Sequence, residues 1–240
     1  MLKPDMKRFY RAVSIAPPSD DGEEAGGFSI LLDGRRIKSP VGRALAVPSC
    51  PLAEEVAKEW EAQGEKIVPA TMPLTQLAFT ALDRIAPEQQ EVAARIARFG
   101  ETDLLCYRAE APLDLVQRQA ENWDPLLAWA KEELGAEMIV TTGIVHVAQP
   151  TEALDRLAQA VHAMDPFRLT VLAAVAQAAG SLLIGLALVH GRLGAVEAFA
   201  ASQLDEDYQS ELWGQDKEAL DRQRALLAEI SQAETFLSLL

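Results

Sequence analysis

The sequence predicts an α+β fold, in which a small mixed α/β N-terminal domain with antiparallel strands precedes an all-helical C-terminal bundle domain. Short β-type runs and turn residues fill the first 48 residues, a helical period follows, and nearly all of the chain beyond residue 112 has helical patterning. A length of 240 residues suits two domains better than one. We therefore expect domains at residues 1–110 and 111–240.

Strands are expected in three runs near the N-terminus, namely RFYRAVSI, FSILLDGRRIKSP and RALAV. An acidic, glycine-containing loop from Asp20 to Gly27 separates the first two runs. Asp33 and Gly34 form a dipeptide typical of two-residue hairpins, since both residues tolerate the positive φ of a type I′ turn. These features together predict a small antiparallel sheet.

The first helices are expected directly after the strands. Apolar residues recur there at every fourth position, at Leu52, Val56 and Trp60. Ser49 precedes them as a candidate N-cap. A second helix is predicted over residues 74–85, where 72–75 form its start, and a third over residues 87–98.

The helical bundle is expected to contain helix starts at three places where a capping residue precedes proline or glutamate. These places are Asp124–Pro125, Thr151–Glu152 and Asp165–Pro166. The run from Met138 to Val147 is rich in β-branched residues, so we expect an extended connection there.

The segment from Leu169 to His190 contains no Asp, Glu, Lys or Arg and is long enough to span a bilayer. We favour a buried helix or helix pair, because Asp165 and Pro166 predict a helix start, and Gly180 and Ser181 predict a break. Its many alanines also suit close packing between helices. A membrane span is the alternative.

Charge and cysteine content exclude several classes of protein. The net charge of -14 repels nucleic acid and anionic membranes and attracts basic protein surfaces. Cys50 and Cys106 lie far apart without a CxxC motif, so neither a zinc site nor a disulfide framework is expected. The N-terminus lacks the apolar core of a secretion signal, which predicts a cytoplasmic location.

No catalytic, cofactor-binding or metal-binding residues are predicted. Neither GxGxxG nor GxxxxGK[ST] occurs, and no GxSxG nucleophile elbow is present. His146, His162 and His190 are too far apart to form a metal motif. Asp205 and Asp207 begin a calcium-like alternation, but the glycine and glutamate that such a loop needs at its sixth and twelfth positions are missing.

One acidic segment stands out, from Val196 to Glu218, where seven acids and one lysine surround Tyr208 and Trp213. Such a segment suits recognition of a basic partner, because aromatic side chains anchor interfaces and charges steer the encounter. The alternative is a helix end with a solvated face, in which Trp213 packs in the core.

Five motifs, in this order along the chain, resemble a known family of chaperones. They are GFSILLDGRRIKSPVGRALAVPS, LAEEVAKEWEAQ, MPLTQLAFTALDR, ETDLLCYR and DEDYQSELWGQDKEA. The resemblance is to the assembly chaperones for the alpha subunit of the ATP synthase catalytic sector, and it covers about residues 8 to 225.

The resemblance implies a two-domain protein that holds the unassembled alpha subunit and prevents its aggregation or mispairing until the catalytic sector forms. It implies no cofactor, no turnover and no insertion into a membrane. We expect a protein that is monomeric alone and that works in the bacterial cytoplasm, with relatives in the mitochondrial matrix.

Partner contact is expected in the last motif, because its acids have no evident role in forming a core. The residues that we select are Glu206, Asp207, Gln209, Trp213, Asp216 and Glu218. Trp60 matches a tryptophan of the family, but its spacing from Val56 favours a core role over partner contact.

Two other functions are open at this point. One is a small-molecule enzyme whose active site lies between the domains, which a pocket with convergent polar groups would indicate. The other is a membrane-associated factor that uses residues 169–190.

Overall fold

A computed structural model describes residues 6–18, 26–214 and 216–240. The chain divides into two compact units: the first reaches Gln89 and includes Thr235–Leu240, and the second is Gln90–Glu234. Most of the acidic loop expected from Asp20 to Gly27 lies outside the described residues. The predicted division into residues 1–110 and 111–240 stays a prediction.

An antiparallel sheet forms in the first unit, as predicted. Its strands are β1 (Val13–Ala16), β2 (Phe28–Leu32), β3 (Arg35–Arg36) and β4 (Ala46–Val47). Strand β2 pairs with each of the other three, and its register with β1 sets Val13 opposite Leu32.

The hairpin between β2 and β3 turns at Asp33 and Gly34. Their φ angles are 48° and 77°, which are the positive values that the predicted type I′ turn requires. The Asp33 carboxylate also accepts backbone hydrogen bonds from Ala12 (2.9 Å) and Arg11 (3.1 Å). These hydrogen bonds lower the pKa of Asp33 and tie the turn to the segment before β1.

Helix α1 (Cys50–Glu61) follows the sheet and confirms the predicted helical period. The Ser49 hydroxyl accepts a hydrogen bond from the backbone N–H of Leu52 at 3.2 Å, which confirms the predicted N-cap. Leu52, Val56 and Trp60 are buried along one side of the helix. Trp60 is 2% exposed, so its predicted core role is confirmed.

Helix α2 (Pro73–Thr80) continues as a π-helical segment (Ala81–Ile85), so the helix predicted over residues 74–85 is present. Glu59 on α1 caps the start of α2 although it lies 15 residues earlier in the sequence than Leu74. Its carboxylate accepts from the N–H groups of Leu74 and Thr75, both at 2.8 Å. Burial raises the pKa of Glu59 because desolvation outweighs these hydrogen bonds.

The rest of the chain is almost entirely helical, in agreement with the predicted bundle. Its helices are α3 (Gln89–Ala97), α4 (Leu113–Leu134), α5 (Thr151–His162), α6 (Pro166–Ala179), α7 (Leu182–Val189), α8 (Ala195–Ser202), α9 (Leu204–Trp213) and α10 (Lys217–Ser238). The connection predicted over Met138 to Val147 is extended, and its strand β6 (Thr141–Thr142) pairs in parallel with β5 (Tyr107–Arg108).

The helix start predicted at Asp124–Pro125 is wrong, because α4 begins at Leu113 and runs through Pro125. Proline removes one backbone hydrogen bond from a helix interior. The buried face of α4 nevertheless continues across this position, from Trp123 to Leu126 and Ala130. Burial of this apolar face therefore outweighs the lost hydrogen bond.

The segment from Leu169 to His190 forms the predicted helix pair, α6 and α7. Asp165 caps α6 by accepting from Phe167 N–H at 2.9 Å, and the chain breaks at Gly180, whose φ is 66°. Within the part of the chain that the structure describes, no helix is both long and apolar enough to cross a membrane.

A buried carboxylate organises the start of α7. Asp103 accepts hydrogen bonds from the Ser181 hydroxyl (2.7 Å) and from Leu183 N–H (3.0 Å). Its pKa is raised because the side chain is fully desolvated. Asp103 thus has a structural role in the helical unit.

Candidate partner-binding groove

Helix α9, which contains most of the selected partner residues, is held in place by its neighbours in the second unit. The indole N–H of Trp123 on α4 donates to the carbonyl of Ala201 at 2.9 Å, just before α9 begins. One turn away, the Gln119 side chain donates to the Asp205 carboxylate at 2.7 Å. Because Trp123 and Gln119 are both buried, these contacts fix the first turn of α9.

The middle of α9 is joined to α4 by two further polar contacts. The Tyr208 hydroxyl donates to the Asp114 carboxylate at 3.0 Å, and Arg118 forms an ion pair with Glu211 at 2.8 Å. The hydrogen bond from Arg118 lowers the pKa of Glu211, whereas burial raises the pKa of Tyr208. Tyr208 therefore lies in the α4–α9 contact.

A groove of about 610 Å³ opens on the opposite side of α9, where α10 forms the second wall. We call it the α9–α10 groove. Its lining includes Glu206, Gln209 and Trp213 from α9 and Ala219, Arg222 and Leu226 from α10. The groove thus combines charged residues of both signs with a few apolar side chains.

Trp213 is the most unusual residue of this groove because 86% of its surface is exposed to solvent. It is the last residue of α9, and Gly214, with a φ of 81°, ends the helix directly after it. The neighbouring Leu212 is 60% exposed. The alternative in which Trp213 packs in the core is wrong, since α9 ends before any element covers the ring.

Three of the six selected residues line the groove, namely Glu206, Gln209 and Trp213. The other three lie beside it. Asp207 is half-buried and accepts from Gln223 on α10 at 2.8 Å. Asp216 caps α10 by accepting from Ala219 N–H at 2.7 Å, and the exposed Glu218 lies 3.5 Å from Arg222.

Sequence reasoning missed the α10 wall of the groove. Arg222 and Leu226 follow Glu218 at intervals of four residues, so they lie on the same face of α10 as the end of the acidic motif. The helical period could have identified them. The exposed Leu212 offered no signal, because a leucine beside a tryptophan is equally typical of a core.

The described residues contain no candidate metal site. No group of three or more His, Cys, Asp or Glu residues among them could hold a metal ion. Asp205 and Asp207 lie on a helix, where they contact Gln119 and Gln223 instead of converging as the first ligands of a calcium loop would. Burial raises the pKa of the Cys106 thiol to about 12, so this thiol is unreactive at neutral pH.

The fold is that of a helix-rich protein with a small antiparallel sheet, and comparisons with known proteins identify its family. A model of the ATP12 chaperone protein family matches residues 7–131. The crystal structure of Atp12 from Paracoccus denitrificans matches with a TM-score of 0.91 and 41% identity, covering 97% of both chains. The chain belongs to the ATP12 chaperone family.

Further relatives support the same assignment. A solved structure from Agrobacterium tumefaciens, described as a chaperone candidate, is 42% identical and matches with a TM-score of 0.88. The match covers 97% of this chain and 85% of the Agrobacterium chain. The mitochondrial Atp12 protein of Schizosaccharomyces pombe is 27% identical over 224 residues, which is 88% of this chain and 75% of that protein. Bacterial and mitochondrial relatives agree with the predicted location.

Proposed function

We propose that this chain binds the unassembled alpha subunit of ATP synthase and keeps it from aggregating or mispairing until the catalytic sector forms. Membership of the ATP12 chaperone family and the five motifs that resemble alpha-subunit chaperones support this function. The observation that carries it is Trp213, which is 86% exposed and lines the α9–α10 groove.

Trp213 is proposed as the anchor of the interface. An exposed indole gains free energy when a partner covers it, and tryptophan is among the residues most often found at the energetic centre of interfaces. Leu226 and Ala219 from α10 are apolar residues of the same lining, against which a partner side chain can pack beside the indole. The groove is thus suited to an apolar side chain of the client.

Acidic residues around the anchor are proposed to steer the client. Glu206 lines the groove, Asp216 and Glu218 are exposed beside it, and the whole chain has a net charge of -14. The negative charge of the chain accelerates association with a basic surface. Ion pairs between exposed residues add little to the affinity of the complex, because salt screens them. Binding is therefore reversible, as a chaperone that must release its client requires.

The proposed role is binding without turnover and without a cofactor, by a protein that is monomeric alone. A chaperone of this kind covers the surface that would otherwise aggregate and then yields it to the proper neighbour. The client's subunit partner competes for the covered surface, so release needs no chemical step.

The function is tested by mixing equimolar chaperone with isolated alpha subunit and following light scattering and co-elution in size-exclusion chromatography. We expect suppressed aggregation and a shared peak with the alpha subunit, but neither effect with the beta subunit. Equal protection of both subunits would indicate a general holdase, and no effect on either would refute the proposal.

A further inference from the structure

A second groove lies in the first unit, beside the β2–β3 hairpin and the last turn of α1. It has a volume of about 620 Å³, close to that of the α9–α10 groove. Its apolar lining comprises Met6, Phe9, Tyr10, Leu32, Ile37 and Trp60. We call it the hairpin groove.

An aromatic cluster forms the apolar side of the hairpin groove. The Tyr10 ring lies 5.8 Å from the Trp60 ring, and the Tyr10 hydroxyl donates to the Trp60 carbonyl at 2.6 Å. Phe9 packs edge-on against Tyr10, with 5.4 Å between ring centroids, yet it is 66% exposed. The cluster is thus rigid at Trp60 and open to solvent at Phe9.

The charged residues of this groove are mainly basic, in contrast with the chain as a whole. Arg35, Arg36 and Lys38 line it, and Arg35 and Lys38 are exposed. Neither Arg35 nor Lys38 forms an ion pair with another residue that the structure describes. The carboxylate of Asp33, also in the lining, accepts from the N–H groups of Arg11 and Ala12, and the charge of Arg35 helps to lower its pKa. With three basic residues and this one acid, the lining keeps a net positive charge.

Trp60 contributes its apolar ring to the groove, and its N–H is out of reach of a ligand. The indole nitrogen of Trp60 is buried, and no described residue accepts its hydrogen. An unsatisfied buried N–H costs folding free energy, and native structures rarely keep one without a reason. Because the nitrogen itself is buried, a ligand in the groove does not reach this N–H, and the groove offers a ligand its aromatic rings and basic side chains.

We infer that the hairpin groove binds an acidic peptide segment that has an apolar side chain next to its carboxylates. The carboxylates pair with Arg35 and Lys38, and the apolar side chain packs against Phe9 and Tyr10. The aromatic lining distinguishes such a segment from a free inorganic anion, which would leave the rings in water.

This site is independent of the α9–α10 groove and goes beyond the proposed function. The two grooves select opposite charges, so the hairpin groove would recognise a different segment from the basic surface proposed for the acidic motif. Its test needs only the chaperone and synthetic peptides. Failure of the test therefore leaves the proposal about the alpha subunit untouched.

The test measures fluorescence anisotropy of a labelled twelve-residue probe peptide, rich in Glu with one central Leu, as the intact chaperone is added. Two matched peptides serve as comparisons: one replaces the Leu by Gly, and the other replaces every Glu by Lys. We expect the Glu–Leu peptide to bind and the Gly peptide to bind at least about fivefold more weakly. Any binding of the Lys peptide to this acidic chain should not depend on Arg35 and Lys38.

Variants then locate the binding. Arg35→Glu combined with Lys38→Glu should weaken the Glu–Leu peptide at least about tenfold, since two attractive pairs become repulsive. The control is Arg84→Glu combined with Arg95→Glu, which makes the same charge change at two exposed arginines outside the groove. It should change the affinity less than about twofold.

The inference is overturned if the Glu–Leu peptide does not bind, or if the Gly peptide binds equally well. It is also overturned if both double variants weaken binding equally, because the effect would then be one of net charge. Circular dichroism and thermal unfolding of each variant identify a folding defect. If the Arg35 and Lys38 variant is unfolded, Phe9→Ser replaces it and should give the same loss.

Discussion

The α9–α10 groove and the hairpin groove have nearly equal volumes, about 610 and 620 Å³, but they use tryptophan in opposite ways. Trp60 lies on the buried stripe of α1 and is 2% exposed, whereas Trp213 ends α9 and is 86% exposed. The position of a residue within its helix therefore decides whether it stabilises the fold or is available to a partner.

The two grooves also differ in how they are fixed. The hairpin groove is built on a core of buried residues from β2 and α1, including Leu32 and Trp60. The wall α9 is held by side-chain hydrogen bonds and an ion pair to α4, at Asp205, Tyr208 and Glu211. Substitutions of the buried residues of the hairpin groove should thus lower stability, whereas substitutions of exposed residues in the α9–α10 groove should mainly affect binding.

The largest expected effect is on folding, from Trp60→Ala. Removing a fully buried tryptophan leaves a cavity and should lower the free energy of unfolding by about 3–5 kcal/mol. The matched substitution Trp213→Ala should change it by no more than about 0.5 kcal/mol, because the ring is in solvent. Urea denaturation of both variants checks the difference. Similar losses would mean that Trp213 also packs in a core.

The next effect is on client binding, from Trp213→Ala. If the indole is the anchor, the affinity for the alpha subunit should fall by about 2 kcal/mol or more, roughly 30-fold. Leu212→Ala is the control, since Leu212 is exposed beside Trp213 but is outside the groove lining. Titration calorimetry measures both affinities. An equal loss from both variants would argue for a general apolar patch.

A smaller effect is expected from charge reversal in the acidic motif, Glu206→Lys combined with Asp216→Lys. Association with the alpha subunit should slow by about tenfold at low salt, and the difference should shrink as salt rises. The exposed pair Glu132→Lys and Glu133→Lys at the end of α4 makes the same charge change away from the groove. Stopped-flow mixing gives the rates, and equal slowing by both pairs would move the contact elsewhere.

The smallest effect concerns the contact between α4 and α9. The hydrogen bond from Arg118 lowers the pKa of Glu211 below its unfolded value. The ion pair therefore stabilises the fold above the unfolded pKa, and this stabilisation is lost as the pH falls through the folded pKa. Glu211→Gln should lower the melting temperature slightly at pH 7 and by less in acid. A difference that does not vary with pH would exclude the ion pair as its cause.

Local signals in the sequence predicted the elements that depend on a few adjacent residues. The Asp33–Gly34 turn, the Ser49 cap and the break at Gly180 all follow from backbone preferences that act within one turn. At Pro125 the local rule gave a wrong helix start, because packing of the buried face of α4 keeps the helix continuous through the proline. Such tertiary packing cannot be predicted from adjacent residues alone. Local propensity is thus decisive only where packing does not oppose it.

The two grooves also differ in how far apart their lining residues lie in the sequence. Much of the α9–α10 groove comes from one continuous motif, so its acids and Trp213 could be selected from the sequence. The hairpin groove joins Tyr10 to Trp60 across 50 residues, and its basic residues belong to a hairpin that has no motif for binding. Sequence reasoning could not find it, because only the fold brings these side chains together.

The central claim, that the alpha subunit is held at the α9–α10 groove, is tested most directly by hydrogen–deuterium exchange of the chaperone with and without isolated alpha subunit. We predict slower exchange of backbone amides over residues 203–226, on both walls of the groove. Unchanged exchange over these residues in a complex that co-elutes would contradict the claim.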